Sequence, residues 1–201
     1  MKMNVITTMV FAAASFAAAV APSALAGTPS VGLTVNSLIT TGTCTATMNT
    51  GSSGSTKTVD FANVSTSEVF AKTKIKTFDV QFSGCAGIPG KKAQLTLAPR
   101  AVGCAGPSAD LPAFANATSQ TPKAAKTAVE VWTTATPEGT GSVQFNCKTP
   151  NTVDVDLSSV TEQTPLTYQL SARMVPVSGA ARSDLTAGDF YSPTTMTISY
   201  Q

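Results

Sequence analysis

The 201-residue chain contains no histidine, and only 12% of its residues are charged, about half the usual share. Without histidine it cannot build, from its own residues, a Ser-His-Asp triad, a Cys-His dyad or a His-ligated zinc or haem site. Thirteen Lys+Arg stand against 11 Asp+Glu, a formal charge of +2. That balance lacks the basic footprint of non-specific nucleic-acid binding, so no nucleic-acid partner is expected. Aromatic residues are also sparse, at 6%, with one tryptophan. Trp132, Tyr168 and Tyr191 are scattered and read as packing rather than as a sugar platform. No nucleophile motif is present, so no enzyme, cofactor or metal site is expected. What the chain has in abundance is threonine, with 32 residues, and serine, with 20. Apolar residues at 42% suffice for a core and exclude a disordered chain.

Residues 1–26 read as an address. Lys2 is followed by an Ala-rich apolar stretch that ends in Ala24-Leu25-Ala26, a small-x-small cleavage signal. No later segment approaches the ~18 apolar residues of a transmembrane helix. The mature protein is expected to begin at Gly27. Export changes the meaning of Cys44, Cys85, Cys104 and Cys147. In an oxidising compartment an even count points to disulfides, and four cysteines allow three connectivities. No C-x2-C or C-x4-C pair offers a zinc knuckle.

Beyond Gly27 no convincing amphipathic helix is present, and the apolar pattern has a period of two. It runs through Val31, Leu33 and Val35; Phe78, Val80 and Phe82; Leu95 and Leu97; and Val129 and Val131. It continues through Val143, Phe145 and Cys147; Val153, Val155 and Leu157; Leu166 to Met174; and Met196, Ile198 and Tyr200. Such alternation predicts strands with one buried and one wet face, and Thr and Val suit a pleated surface. Turn clusters separate the runs, among them residues 49–55 (NTGSSGS), 87–90 (GIPG) and 137–141 (PEGTG). Residues 102–126 are Ala/Pro-rich and weakly patterned, and read as a long loop with at most one short strand or turn. The fold expected is an all-β antiparallel sandwich or barrel in one mature domain.

The two ends narrow this. The last strand, residues 194–201 (TTMTISYQ), alternates to the final residue, where a sandwich usually continues into a closing strand. Residues 27–35 (GTPSVGLTV) form another alternating segment ahead of the first cysteine. One reading is a domain short of an edge strand, which a neighbouring copy supplies by β-strand addition.

At these residues the chain resembles the type 1 fimbrial subunits, or pilins, of the chaperone–usher route. The resemblance rests on Thr41-Gly42-Thr43-Cys44 with a second cysteine ending the strand Thr77 to Cys85, and on Leu170-Ser171-Ala172-Arg173-Met174. It rests also on Ala187-Gly188-Asp189-Phe190 followed by Met196 to Gln201, with Gly188 fourteen residues from the end and Tyr200 penultimate.

The resemblance implies an incomplete immunoglobulin-like sandwich lacking its final strand, completed by a donor strand from another subunit. It implies a signal peptide over 1–26, a donor-strand extension over 27–36 and a pilin domain over 37–201. Val31, Leu33 and Val35 would be the donor face; Gly188, Met196, Ile198 and Tyr200 would mark the acceptor groove and the site of chaperone recognition. Partners would be a periplasmic chaperone, an outer-membrane usher and other fimbrial subunits, in a homo- or hetero-polymer. The destination would be the cell-surface fimbrium, reached through the periplasm. Cys44–Cys85 would be the family disulfide, which leaves Cys104 and Cys147 to bond each other as an extra pair. The donor face is short and Pro29 removes a backbone donor, so a minor, tip or terminating subunit is the alternative to a main shaft subunit.

Other features read as ordinary surface. Lys72, Lys74 and Lys76 form an alternating basic stripe on a wet strand face. Asp154 and Asp156 share a face, a carboxylate pair without further acidic neighbours. Arg173, between apolar neighbours, is expected on the outer face in water. The sequons at Asn63 and Asn116 carry little meaning in a bacterial setting.

Overall fold

The structure is a computed structural model, described here over residues 42–51, 57–100, 103–106 and 111–201. These belong to the second of two compact units, Ile39–Gln201. The expected signal peptide, the 27–36 segment and its Val31, Leu33 and Val35 lie outside the described residues.

The period-two runs become strands. They are β1 (Thr43–Asn49), β2 (Ile75–Ala86), β3 (Lys92–Pro99), β4 (Phe114–Ala115), β5 (Thr127–Trp132), β6 (Thr152–Asp156), β7 (Leu166–Pro176) and β8 (Thr194–Tyr200). All ladders are antiparallel. One sheet has the order β1-β2-β7-β5-β4 and the other the order β6-β3-β8. The inward residues of the two sheets meet in one core. Phe82, Leu95, Phe114, Phe145 and Leu170 are wholly buried there. Each such side chain contributes roughly 1.5–3 kcal/mol of burial. Register follows from this burial, because a slip of one residue would turn Phe78, Val80 and Phe82 out to water while they face Leu170, Tyr168 and Leu166.

Two disulfides staple the sandwich, Cys44–Cys85 between β1 and β2, and Cys104–Cys147 between the 103–106 segment and the chain before β6.

Four features differ from the sequence expectations. First, a single helical turn, α1 (Thr66–Phe70), precedes β2. The Ser65 hydroxyl accepts from the Glu68 N–H at 3.3 Å, and the Glu68 carboxylate accepts from the Ser65 N–H at 2.8 Å. This reciprocal capping box satisfies two end donors and lets one turn persist while Val69 docks in the core.

Second, residues 143–147 make only a bridge, Trp132 to Gln144. Asn side chains take the backbone groups that a longer ladder would need. The Asn151 side-chain Oδ1 accepts from the Asn146 N–H at 2.7 Å, and its Nδ2 donates to the Gln144 backbone carbonyl at 3.1 Å.

Third, the lysine stripe is not one strand face. Lys72 sits in a turn with φ of 55°, Lys74 lies ahead of β2 and reaches Glu68, and only Lys76 is in the strand.

Fourth, Arg173 is on the outer face of β7 but only 5% exposed. Residues 133–145 fold back over that face and bury it between Glu130 and Glu138.

Candidate binding groove

The last strand, β8, pairs with β3 and, among the described residues, with no other strand. Lys92 and Gln201 exchange both backbone hydrogen bonds, at 3.2 and 3.0 Å. Alternate residues do so in an antiparallel ladder, so 195, 197, 199 and 201 turn their backbone groups to β3. Residues 194, 196, 198 and 200 turn theirs to the open edge. The Arg100 N–H donating to the Pro193 carbonyl at 2.9 Å continues the same parity. Met196, Ile198 and Tyr200 therefore combine core-facing, half-buried side chains with outward-facing backbone donors and acceptors. An open edge of this kind is a template for another strand.

Beside that edge lies a groove of about 590 Å³. Its floor comes from both sheets: Phe78 of β2, Leu97 of β3, Val129 and Val131 of β5, and Ala172 and Met174 of β7. Met196 forms one wall. Val59, Phe61 and Val64, in the chain before α1, line it as well. Charge is confined to a few lining residues, Lys57, Asp60, Arg100 and Asp189, so the interior suits alternating apolar side chains on an extended chain.

Of the residues expected at an acceptor groove, Gly188 and Met196 line this one, while Ile198 and Tyr200 continue the same face of β8 beyond it. The Tyr200 hydroxyl donates to the Cys44 carbonyl at 3.0 Å and ties β8 to β1 there. Burial pushes the Tyr200 pKa up, so the hydroxyl remains a donor through the neutral range.

At the other end Gly188 has a role that its sequence position alone does not reveal. Its φ is 154°, and a Cβ there would lie 2.5 Å from the Lys123 carbonyl carbon and 2.6 Å from the Ala124 nitrogen. Only glycine permits this approach. The approach brings in two backbone bonds, Asp189 N–H to the Pro122 carbonyl at 2.8 Å and Ala124 N–H to the Asp189 carbonyl at 3.0 Å.

Asn116, set aside as a sequon, is buried at the same end and uses all of its amide. It donates to the Ala124 and Asp189 carbonyls and accepts from the Thr118 and Tyr191 N–H groups. The exposed Asp154 and Asp156 do not act as a pair. Asp154 meets Lys92 at 3.5 Å, and Asp156 caps the Ser158 N–H, which lowers its pKa. Among the described residues no group of three or more His, Cys, Asp or Glu converges to hold a metal.

Comparison with known proteins agrees with this geometry. No protein-family model matches the chain. It is 43% identical over 175 residues to an uncharacterized fimbrial-like protein, YadL, of Escherichia coli (strain K12), covering 87% of this chain and 86% of that protein. Its fold is similar to that of the P pilus rod subunit PapA, with a TM-score of 0.50 and 16% identity over 79% of this chain and 99% of that one. The CupB6 tip adhesin from Pseudomonas aeruginosa gives a TM-score of 0.41 at 18% identity over 62% of this chain and 29% of that one, too slight to carry an argument. An all-β, incomplete immunoglobulin-like sandwich, an edge of β8 left open among the described residues and a fimbrial-like relative along most of its length lead to one conclusion: the chain belongs to the type 1 fimbrial (pilin) subunit family.

Proposed function

We propose that the chain is a structural subunit of a bacterial surface fimbria that polymerises by donor-strand exchange and supports adhesion. In this reading residues 1–26 direct export and are removed, residues 27–36 are the donor strand, and residues 37–201 form the pilin domain. A periplasmic chaperone first fills the groove beside β8. At the outer-membrane usher, the extension of another subunit replaces it.

The observation that carries the reading is the apolar groove alongside the edge of β8 that is unpaired among the described residues. An occupant inserting three alternating side chains such as Val31, Leu33 and Val35 gains roughly 1.5–3 kcal/mol for each. Each ladder bond to the outward groups of Met196, Ile198 and Tyr200 adds about 0.5–1.5 kcal/mol. Together these favour the filled groove over one left to water.

The test is deletion of Gly27 to Val35 in cells that also express the chaperone and usher. The truncated chain is expected to accumulate as a chaperone-bound monomer that accepts a donor strand but gives none. Full-length fibres built from the truncated chain alone would overturn the donor assignment. Its copy number in purified fibres separates a shaft subunit from a minor, tip or terminating one.

A further inference from the structure

The groove floor has a second side. Glu130 of β5 and Arg173 of β7 lie opposite each other in the ladder. Their inward neighbours, Val129, Val131, Ala172 and Met174, line the groove. On the outer face the Arg173 guanidinium donates to Glu130 Oε2 from Nε at 3.0 Å and from Nη2 at 2.7 Å. The Trp132 indole N–H donates to the same oxygen at 3.2 Å, and the Trp132 ring lies 5.5 Å from the guanidinium.

The loop over residues 133–142 closes this cluster from above. Glu138 accepts from Arg173 Nη2 at 2.6 Å, and the Ser171 hydroxyl donates to the Thr134 carbonyl at 2.6 Å. Glu138 is held at a φ of 62°, in the left-handed region that non-glycine residues seldom adopt. Its carboxylate reaches Arg173 while the side chain is 60% exposed, so this contact is the end of the cluster that water reaches first.

We propose that the 133–142 loop is a latch, clasped by Glu138 on Arg173, that sets how firmly the groove on the far side of β5 and β7 holds an inserted strand. The proposal rests on the donor-strand reading above and adds a control point to it. With the latch closed, the Arg173–Glu130 pair is dry and fixes β5 against β7. Opening it admits water to the pair and loosens the strands that form the floor.

Acid is the natural trigger. The charged groups facing the clasp are Arg173 from β7, Glu130 from β5 and Lys72 from the turn after α1. The Arg173 guanidinium, with a smaller contribution from Lys72, holds the Glu138 pKa below its ordinary value. A lowered carboxylate pKa means that the clasp is complete above the ordinary value near 4.5 and is lost as pH falls through the lowered one.

The experiment compares the full exported chain with Glu138→Gln, which keeps the side-chain shape but removes the charge, and with Arg173→Lys. The probe is a fluorescent synthetic peptide of residues 27–36. Its release is timed over a series of pH values falling from neutral into acid, and amide hydrogen exchange is mapped at neutral pH. Glu138→Gln is expected to speed exchange across 133–142 and to release the peptide about threefold to tenfold faster at neutral pH. The wild-type chain should match that rate only in acid, and Arg173→Lys should fall between. Faster loop exchange with unchanged release would overturn the coupling, and unchanged loop exchange would overturn the latch itself. If the peptide fails to bind even the wild-type chain, the donor reading fails. Exchange at Val129, Val131, Ala172 and Met174 then decides the latch: acceleration in Glu138→Gln supports it and no change overturns it.

Discussion

Gly188→Ala concentrates the structural argument in one methyl group. The added Cβ would meet three backbone atoms at 2.5–2.6 Å, the carbonyl carbon of Lys123, the nitrogen of Ala124 and the carbonyl oxygen of Pro122. Backbone cannot swing aside as a side chain does, so the 122–124 and 188–189 segments must part. Parting breaks the two hydrogen bonds of the Lys123–Asp189 bridge, each worth about 0.5–1.5 kcal/mol. It also disturbs Asn116, whose amide spans Ala124 and Asp189. Backbone strain at a φ of 154° adds about 1–3 kcal/mol. The loss comes to about 3–5 kcal/mol, which in a domain of this size lowers the melting midpoint by roughly 6–20 °C. Gly84→Ala is the control. Gly84 also has positive φ, at 60°, but nothing lies within 4 Å of its missing Cβ, so it carries strain of about 1–2 kcal/mol without a clash. Thermal melting of the two variants, followed by far-ultraviolet circular dichroism, separates the terms. Gly188→Ala melting within about 2 °C of Gly84→Ala would refute the close-approach argument.

Two further outcomes follow from the staples. Replacing Cys104 and Cys147 together by serine reopens a loop with a sequence separation of 43. The chain-entropy model puts the loss at about 4 kcal/mol, visible as a lower urea midpoint with a somewhat steeper slope because the unfolded chain expands, and a shift worth under about 1 kcal/mol would count against it. Tyr200→Phe removes the bond to the Cys44 carbonyl and should cost about 0.5–1.5 kcal/mol. Amide exchange should quicken at the start of β1 and the end of β8, and a uniform change across the domain would refute a local tie.

Much of the fold was legible because alternation is a local signal with one physical cause, a sheet wet on one side. Phe78, Val80 and Phe82, the run from Leu166 to Met174, and Met196, Ile198 and Tyr200 all lie on strands with that facing. The helical turn was legible in principle, since Ser65 and Glu68 stand at capping-box spacing, but a five-residue helix leaves no periodicity to notice. Val143 and Phe145 alternate like a strand, yet Asn146 and Asn151 capture the backbone there, and Val143 is left exposed.

Composition and neighbours along the chain are enough to set the all-β class, the strand pattern and the apolar face of the last strand, and to exclude histidine chemistry. Packing between distant segments sets which edge stays open among the described residues, puts Val59 and Phe61 in the same groove as Met196, and brings Gly188 against backbone some sixty-five residues away. It alone decided that Arg173 is clasped rather than solvated. Each of these depends on which distant segments meet, and a loop such as 133–145 can dry an outer face that alternation marks as wet.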